Sequence, residues 1–121
     1  MKYITYVSGS VDLHGVPKPN IEQIKKHLEE IYPMSEVGEI FSDTSLDFDE
    51  EWEGFERSEV FLVTMWKIAK LLHKDTSSII MCSGEKDDDF WGIIIKDNRL
   101  FTQRYELKAE GSPQEYEKVR F

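Results

Sequence analysis

The dipeptide Asp97-Asn98 constrains this 121-residue chain more than any other short segment, because it joins two apolar runs across a gap of two residues. Both residues tolerate positive φ, which a two-residue hairpin turn demands. Phe90-Trp91-Gly92-Ile93-Ile94-Ile95-Lys96 therefore reads as one strand and residues 99–107 as its antiparallel return. The turn sets the register: Ile95 faces Leu100, Ile94 faces Phe101, Trp91 faces Arg104 and Phe90 faces Tyr105. One face then carries Trp91, Ile93, Ile95 and Leu100, and the other carries Phe90, Ile94, Phe101 and Tyr105. Both faces are apolar. Helices suit one of them, leaving the other to the terminal segment, a second copy of the chain or a target; the terminal segment needs the fewest assumptions.

The rest of the chain supplies the covering elements. Residues 3–13 alternate, with Tyr3, Thr5, Val7, Gly9, Val11 and Leu13 on one parity, which predicts a first strand. Pro17 and Pro19 read as a connector that blocks helix and ladder alike. Asn20 followed by Gln23 forms a capping-box pattern, and Ile21, Ile24, Leu28 and Ile31 make a helical stripe over residues 20–31. Residues 37–48 read as extended, residues 50–57 as a loop or frayed helix start, and residues 58–73 as a second helix lined by Phe61, Met65, Ile68 and Leu72. Ile79-Ile80-Met81-Cys82 is short and apolar, as a central strand would be. Ser112-Pro113-Gln114-Glu115 predicts the start of a short terminal helix. The expected fold is a single α+β domain over residues 1–121, two-layered, with a mainly antiparallel sheet, two helices on one face and the order β-α-β-α-β-β-β.

Charge narrows the partners. The formal net charge is −9, and it is local: residues 43–59 hold eight acids against Arg57, and residues 85–89 hold four against Lys86. Fields of this sign repel nucleic acid and attract basic surfaces. No apolar run approaches the roughly 20 residues of a membrane helix, so no membrane partner is expected. The opening residues alternate instead of forming a signal-peptide core. Cys82 is the only cysteine, which excludes an intramolecular disulfide and a cysteine zinc cluster and makes the cytoplasm the simplest compartment.

Two strings at the ends of the chain carry a resemblance. The first is Tyr3-Ile4-Thr5-Tyr6-Val7-Ser8-Gly9; the second is Gly84-Glu85, Asp88 or Asp89, Trp91, and Ile94-Ile95-Lys96-Asp97-Asn98-Arg99. Together they resemble a group of small uncharacterised proteins of phages and actinobacteria, which open on a similar strand and end on a Gly-Glu…Asp-x-Trp hairpin. This chain has Asn98 where that pattern favours Gly. The resemblance implies the α+β fold and a mobile-element origin, and brings no activity with it.

Catalytic chemistry is weakly signalled. Glu106-Leu107-Lys108 is a Glu-x-Lys at a strand end, as in metal-dependent nucleases, with Asp97 or Asp89 as the upstream acid. Such a triplet is equally common on exposed edge strands, and no basic surface exists to hold DNA. Asp87-Asp88-Asp89 contains oxygens enough for a hard cation, but adjacent residues of one short loop rarely converge on an ion, so a solvated loop is the plainer reading. His14, His27 and His73 share no ligand spacing. No cofactor, metal or catalytic residue is expected.

The most informative stretch is Asp47-Phe48-Asp49-Glu50-Glu51-Trp52-Glu53-Gly54-Phe55-Glu56. Its carboxylates approach nucleic-acid phosphate density, and Trp52 and Phe55 could anchor a partner. The competing reading has the two aromatic rings pinning a wet loop to the core. The partner-binding set expected from sequence is Asp47, Asp49, Glu50, Glu51, Trp52, Glu53 and Phe55, with Asp87, Asp88 and Asp89 beside them. The expected function is a non-enzymatic acidic binding protein that engages a basic protein surface. In concrete form it is a phage or mobile-element inhibitor that occupies a phosphate groove of a host defence or nucleic-acid-handling protein. A small-ligand-binding or sequestering module, compatible with a homo-oligomer, is the alternative, and a metal-dependent nuclease comes third.

Overall fold

The structure, a computed structural model, describes residues 3–86, 88–106 and 111–113. Strand β1 is Ile4–Asp12, followed by helices α1, Lys18–Glu29, and α2, Met34–Ile40. Then come β2, Ser45–Glu53, helix α3, Glu56–Ala69, and strands β3, Ser78–Gly84, β4, Phe90–Lys96, and β5, Arg99–Tyr105. The five strands form one sheet in the order β2-β1-β3-β4-β5, with every neighbouring pair antiparallel. This is the two-layer α+β fold expected from the sequence.

The hairpin register is the expected one, from Phe90↔Tyr105 to Lys96↔Arg99. Asp97 and Asn98 sit at φ 54° and 59°, as the turn requires. Asn98 does more than turn the chain, because its Nδ2–H₂ donates to Ala69 O (3.0 Å) and Leu72 O (2.7 Å) at the end of α3. Ala69 O otherwise receives a long turn bond from Leu72 N–H (3.4 Å), and Leu72 lies just past the helix, where carbonyls lack helical donors. Asn98 therefore ties the hairpin to the helix.

One face of the sheet is buried under the helices. Val7, Val11, Leu46, Phe48, Trp52, Ile80, Cys82, Ile93 and Ile95 pack there against Ile24 and Leu28 of α1, Val37 and Ile40 of α2, and Phe61, Met65 and Ile68 of α3. Burial pushes the Cys82 thiol pKa up to about 12. Gly9 lets β1 approach β3 closely, since a Cβ there would stand 2.7 Å from the Ile80 Cα.

Several boundaries differ from the sequence reading. Helix α1 begins at Lys18, inside the expected connector, because Pro19 falls in its first turn, where a missing N–H costs nothing. Asn20 is therefore not its cap; the Asn20 Nδ2–H₂ donates to Leu71 O. Residues 37–40, expected to be extended, belong to α2, which buries Val37 and Ile40 at helical spacing. Residues 50–53, expected in a loop or frayed helix start, continue β2, and α3 starts at Glu56 and ends at Ala69. On α3, where the sequence pattern sets Val60 beside the apolar stripe and Thr64 on the wet side, Thr64 is buried and Val60 is exposed. The expected terminal helix falls on residues largely outside those described.

Candidate functional site

Strand β2 is one edge of the sheet and carries most of the acidic stretch. Its residues alternate strictly: Leu46, Phe48, Glu50 and Trp52 face the helices, while Asp47, Asp49, Glu51 and Glu53 face solvent. The sites expected from sequence therefore divide. Trp52 is 2% exposed, with its ring 4.9 Å from Phe61 and 6.4 Å from Trp91. It belongs to the core and is not offered to a partner, so the pinning reading holds for it. Phe55 is 70% exposed and stacks on Tyr3 at 5.3 Å.

Glu50 points inward, contrary to its expected place among the steering charges. Its Oε1 accepts from the Tyr32 hydroxyl and from Trp52 Nε1–H, both at 2.6 Å. Burial, and then this bond to a carboxylate, raises the Tyr32 hydroxyl pKa well above its ordinary value. Two core donors thus fix the Glu50 carboxylate in one orientation. Among the described residues no partner meets its Oε2.

Beside β2 runs a groove of about 660 Å³, walled by Tyr32, by Glu36, Glu39 and Ile40 of α2, and by the β2 acids. Among the described residues Arg57 is the one cation lining it, and it is committed elsewhere: its guanidinium donates to Ile31 O (2.8 Å) and lies 4.6 Å over the Tyr32 ring. Asp47 is held by the hydroxyls of Ser10 (2.8 Å) and Ser45 (2.9 Å). Among the described residues, Asp49, Glu51 and Glu53 make no ion pair and no side-chain hydrogen bond. Among the described residues the margin is a row of carboxylates with no cation paired to it.

The edge is also open along its backbone. Leu13 N–H donates to Thr44 O and Gly54 N–H donates to Tyr3 O, at the two ends of the β1·β2 ladder. Antiparallel ladders alternate, so the even-numbered residues between Thr44 and Gly54 turn their peptide groups toward β1. Asp49, Glu51 and Glu53 turn theirs outward. Among the described residues only the start of the strand is closed, by the Phe41↔Leu46 bridge and the bond from Ser42 N–H to Ser45 O.

The second acidic run is not a free loop. Tyr3 Oη–H donates to Asp89 Oδ2 (2.5 Å), and Arg104 donates to Asp89 Oδ1 (2.9 Å). Glu85 Oε1 accepts from Ile4 N–H. The Tyr3 hydroxyl, then Arg104, hold the Asp89 carboxyl below its usual range, and the same bond raises the Tyr3 pKa. Gly84 belongs to this fastening, since a Cβ on it would fall onto the Tyr3 hydroxyl and the Asp89 carboxylate. Asp89 therefore ties the start of β1 to the β3–β4 turn and to Arg104 of β5, so its carboxylate is already engaged within the fold. Asp88 is exposed, and Asp87 lies outside the described residues.

The remaining candidates stay dispersed. Glu106 is exposed just beyond β5, while Leu107 and Lys108 lie outside the described residues. Of its possible companion acids, Asp97 is at the far end of the hairpin and Asp89 is already paired. The fold does bring His14 and His73 to one groove with Asp12 and Asp75, which sequence spacing could not show. His73 Nδ1 there accepts from Asp75 N–H, and among the described residues no three His, Cys, Asp or Glu side chains converge as metal ligands. The outer sheet face is partly apolar: Tyr6 is 51% and Ile79 49% exposed, with Met81 and Phe101 beside them. Among the described residues no helix is long and apolar enough to cross a membrane. No protein-family model, curated protein or solved structure matches the chain.

Proposed function

We propose that this protein is a non-enzymatic binding module whose acidic β2 margin engages a basic surface of another protein. One observation carries the reading: Asp49, Glu51 and Glu53 project from an open sheet edge beside a 660 Å³ groove, with no cation paired to them among the described residues. Carboxylates so placed steer a basic partner and become favourable when its cations arrive. Asp and Glu are also poor strand formers. Five of them in a nine-residue strand weaken the fold locally, so binding gives them a purpose that stability does not.

The narrower form is a phage or mobile-element inhibitor that occupies a phosphate groove of a host defence or nucleic-acid-handling protein. The spacing bears on it. Outward carboxylates recur every two residues, about 6.8 Å along a strand, whereas each DNA strand carries a phosphate about every 3.4 Å of axis. That rise is measured along the axis, and the winding of the strand sets neighbouring phosphates about twice as far apart, so the outward carboxylates match phosphate spacing along one strand. The compartment in this reading is the cytoplasm, consistent with the buried, unpaired Cys82 thiol.

A second reading, a small-ligand or self-associating module, is favoured by the apolar outer face around Tyr6, Ile79, Met81 and Phe101. Native mass spectrometry of the protein purified from its own host separates the two. A co-purifying protein that is lost on changing Asp49 to Asn and Glu51 and Glu53 to Gln supports the acidic margin. A bound small molecule, or a homo-oligomer, that survives those changes overturns it.

A further inference from the structure

The open edge of β2 says how a partner would sit, and this step rests on the acidic-margin reading above. Exposed edge strands normally carry some device against pairing with another chain. Here the device is selective. Asp49, Glu51 and Glu53 project from the edge, so a second copy of β2 would bring like charges face to face. A strand carrying basic side chains meets no such barrier, and the charges that exclude the copy attract it. The backbone is ready for it, because the N–H and C=O groups of Asp49, Glu51 and Glu53 point away from β1. The space is ready as well, since the groove between β2 and α2 runs alongside these residues.

We infer that β2 accepts an extended, basic segment of a partner protein as a sixth strand of the sheet. Pairing fixes the chemistry of the two parities of that segment. On the outer face its residues stand opposite or diagonal to Asp49, Glu51 and Glu53, where Lys or Arg complements the carboxylates. On the inner parity its residues enter the groove toward Glu50, Glu36 and Glu39. Glu50, held in place by Tyr32 and Trp52 through Oε1, offers there an Oε2 that has no partner among the described residues. Short donors such as Thr fit that side. The occupant is thus an extended stretch with Lys or Arg at alternate positions and small polar residues between them. Backbone bonds give such a complex its affinity and the alternate side chains give it specificity.

A capped peptide of alternating Lys and Thr, labelled for fluorescence anisotropy at low salt, tests this on the intact protein. Two further peptides of identical charge carry N-methyl groups on the amides of one parity or of the other. Strand addition predicts at least a tenfold loss of affinity for one N-methylated peptide and less than a threefold change for the other, because only one parity of amides faces β2. It also predicts that changing Asp49 to Asn and Glu51 and Glu53 to Gln weakens the parent peptide at least tenfold. If both N-methylated peptides bind like the parent, or lose affinity alike, strand addition is wrong while the charge-based reading stands. If the parent binds wild type no better than the neutralised variant, the acidic-margin reading falls too.

Discussion

Replacing Trp52 by Ala separates the two roles that an aromatic ring inside an acidic run can play. The ring is 2% exposed, sits 4.9 Å from Phe61, and its Nε1–H donates to Glu50 Oε1 at 2.6 Å. Truncating a buried Phe or Trp to Ala costs about 3–5 kcal/mol through lost burial and the cavity left behind. Losing a hydrogen bond to a charged acceptor costs about 1.5–3 kcal/mol more. Tyr32 still serves Glu50 and the groove is open to water, so the lower end applies and the sum is about 5 kcal/mol. Small domains are stable by about 5–15 kcal/mol, which makes this a third or more of the total. With a urea m-value of about 2 kcal/mol/M, the midpoint falls by about 2.5 M. Trp52→Phe keeps most of the ring and loses only the donor, so it costs about 1–3 kcal/mol. Urea titrations followed by far-UV circular dichroism measure both. A midpoint shift below about 0.5 M for Trp52→Ala would refute the inward placement of β2's even-numbered residues.

Three further outcomes follow from the same contacts. Asp89 has a folded pKa below its unfolded value of about 3.9, and Tyr3 has one above its ordinary 10.0. The Asp89 contribution is present above the unfolded value and lost as pH falls through the folded pKa; the Tyr3 contribution is present below pH 10 and lost as pH rises through its folded pKa. The melting temperature of wild type should therefore fall at both extremes, and Asp89→Asn should flatten the acid limb; an unchanged acid limb would contradict the fastening. Gly84→Ala, whose Cβ would land on the same contact, should lower the melting temperature at neutral pH, and a neutral effect would show the Tyr3–Asp89 bond to be dispensable. Asn98→Gly relaxes a positive-φ position but removes two bonds to the end of α3, each worth about 0.5–1.5 kcal/mol. It should destabilise by about 1 kcal/mol, and a rise in the urea midpoint would show that the turn outweighs the tie.

Much of the fold was legible because two periodicities are clean. The stripe Phe61, Met65, Ile68, Leu72 and the paired runs around Asp97-Asn98 state their elements directly; the stripe is buried, and in the hairpin Ile93 and Ile95 are buried while Phe101 is exposed. Strand β2 was half hidden. Leu46, Phe48 and Trp52 share a parity, which is a strand signal, but Glu50 occupies the inward position between them and the run of acids reads as loop. An acid at an inward position is intelligible only once Tyr32, 18 residues away, supplies its donor. Helix α2 was masked by Gly38 and by its seven-residue length, too short for a periodic stripe. The Tyr3–Asp89 bond spans 86 residues, and no local pattern announces it. Openness of the β2 edge was likewise invisible before the strand order was known, although the charge that marks the site was plain.

Amide hydrogen exchange along β2, read residue by residue by NMR with and without the alternating Lys-Thr peptide, tests most directly whether this edge is the binding face. In the free protein the amides of Phe48, Glu50 and Trp52, bonded to β1, should exchange slowly, and those of Asp49, Glu51 and Glu53 should exchange quickly. Saturating peptide should slow the second set and leave the first unchanged. Uniform protection of β2 in the free protein, or peptide-induced protection confined to β3, β4 and β5 with Asp49, Glu51 and Glu53 unaffected, would contradict the assignment of the acidic edge as the site.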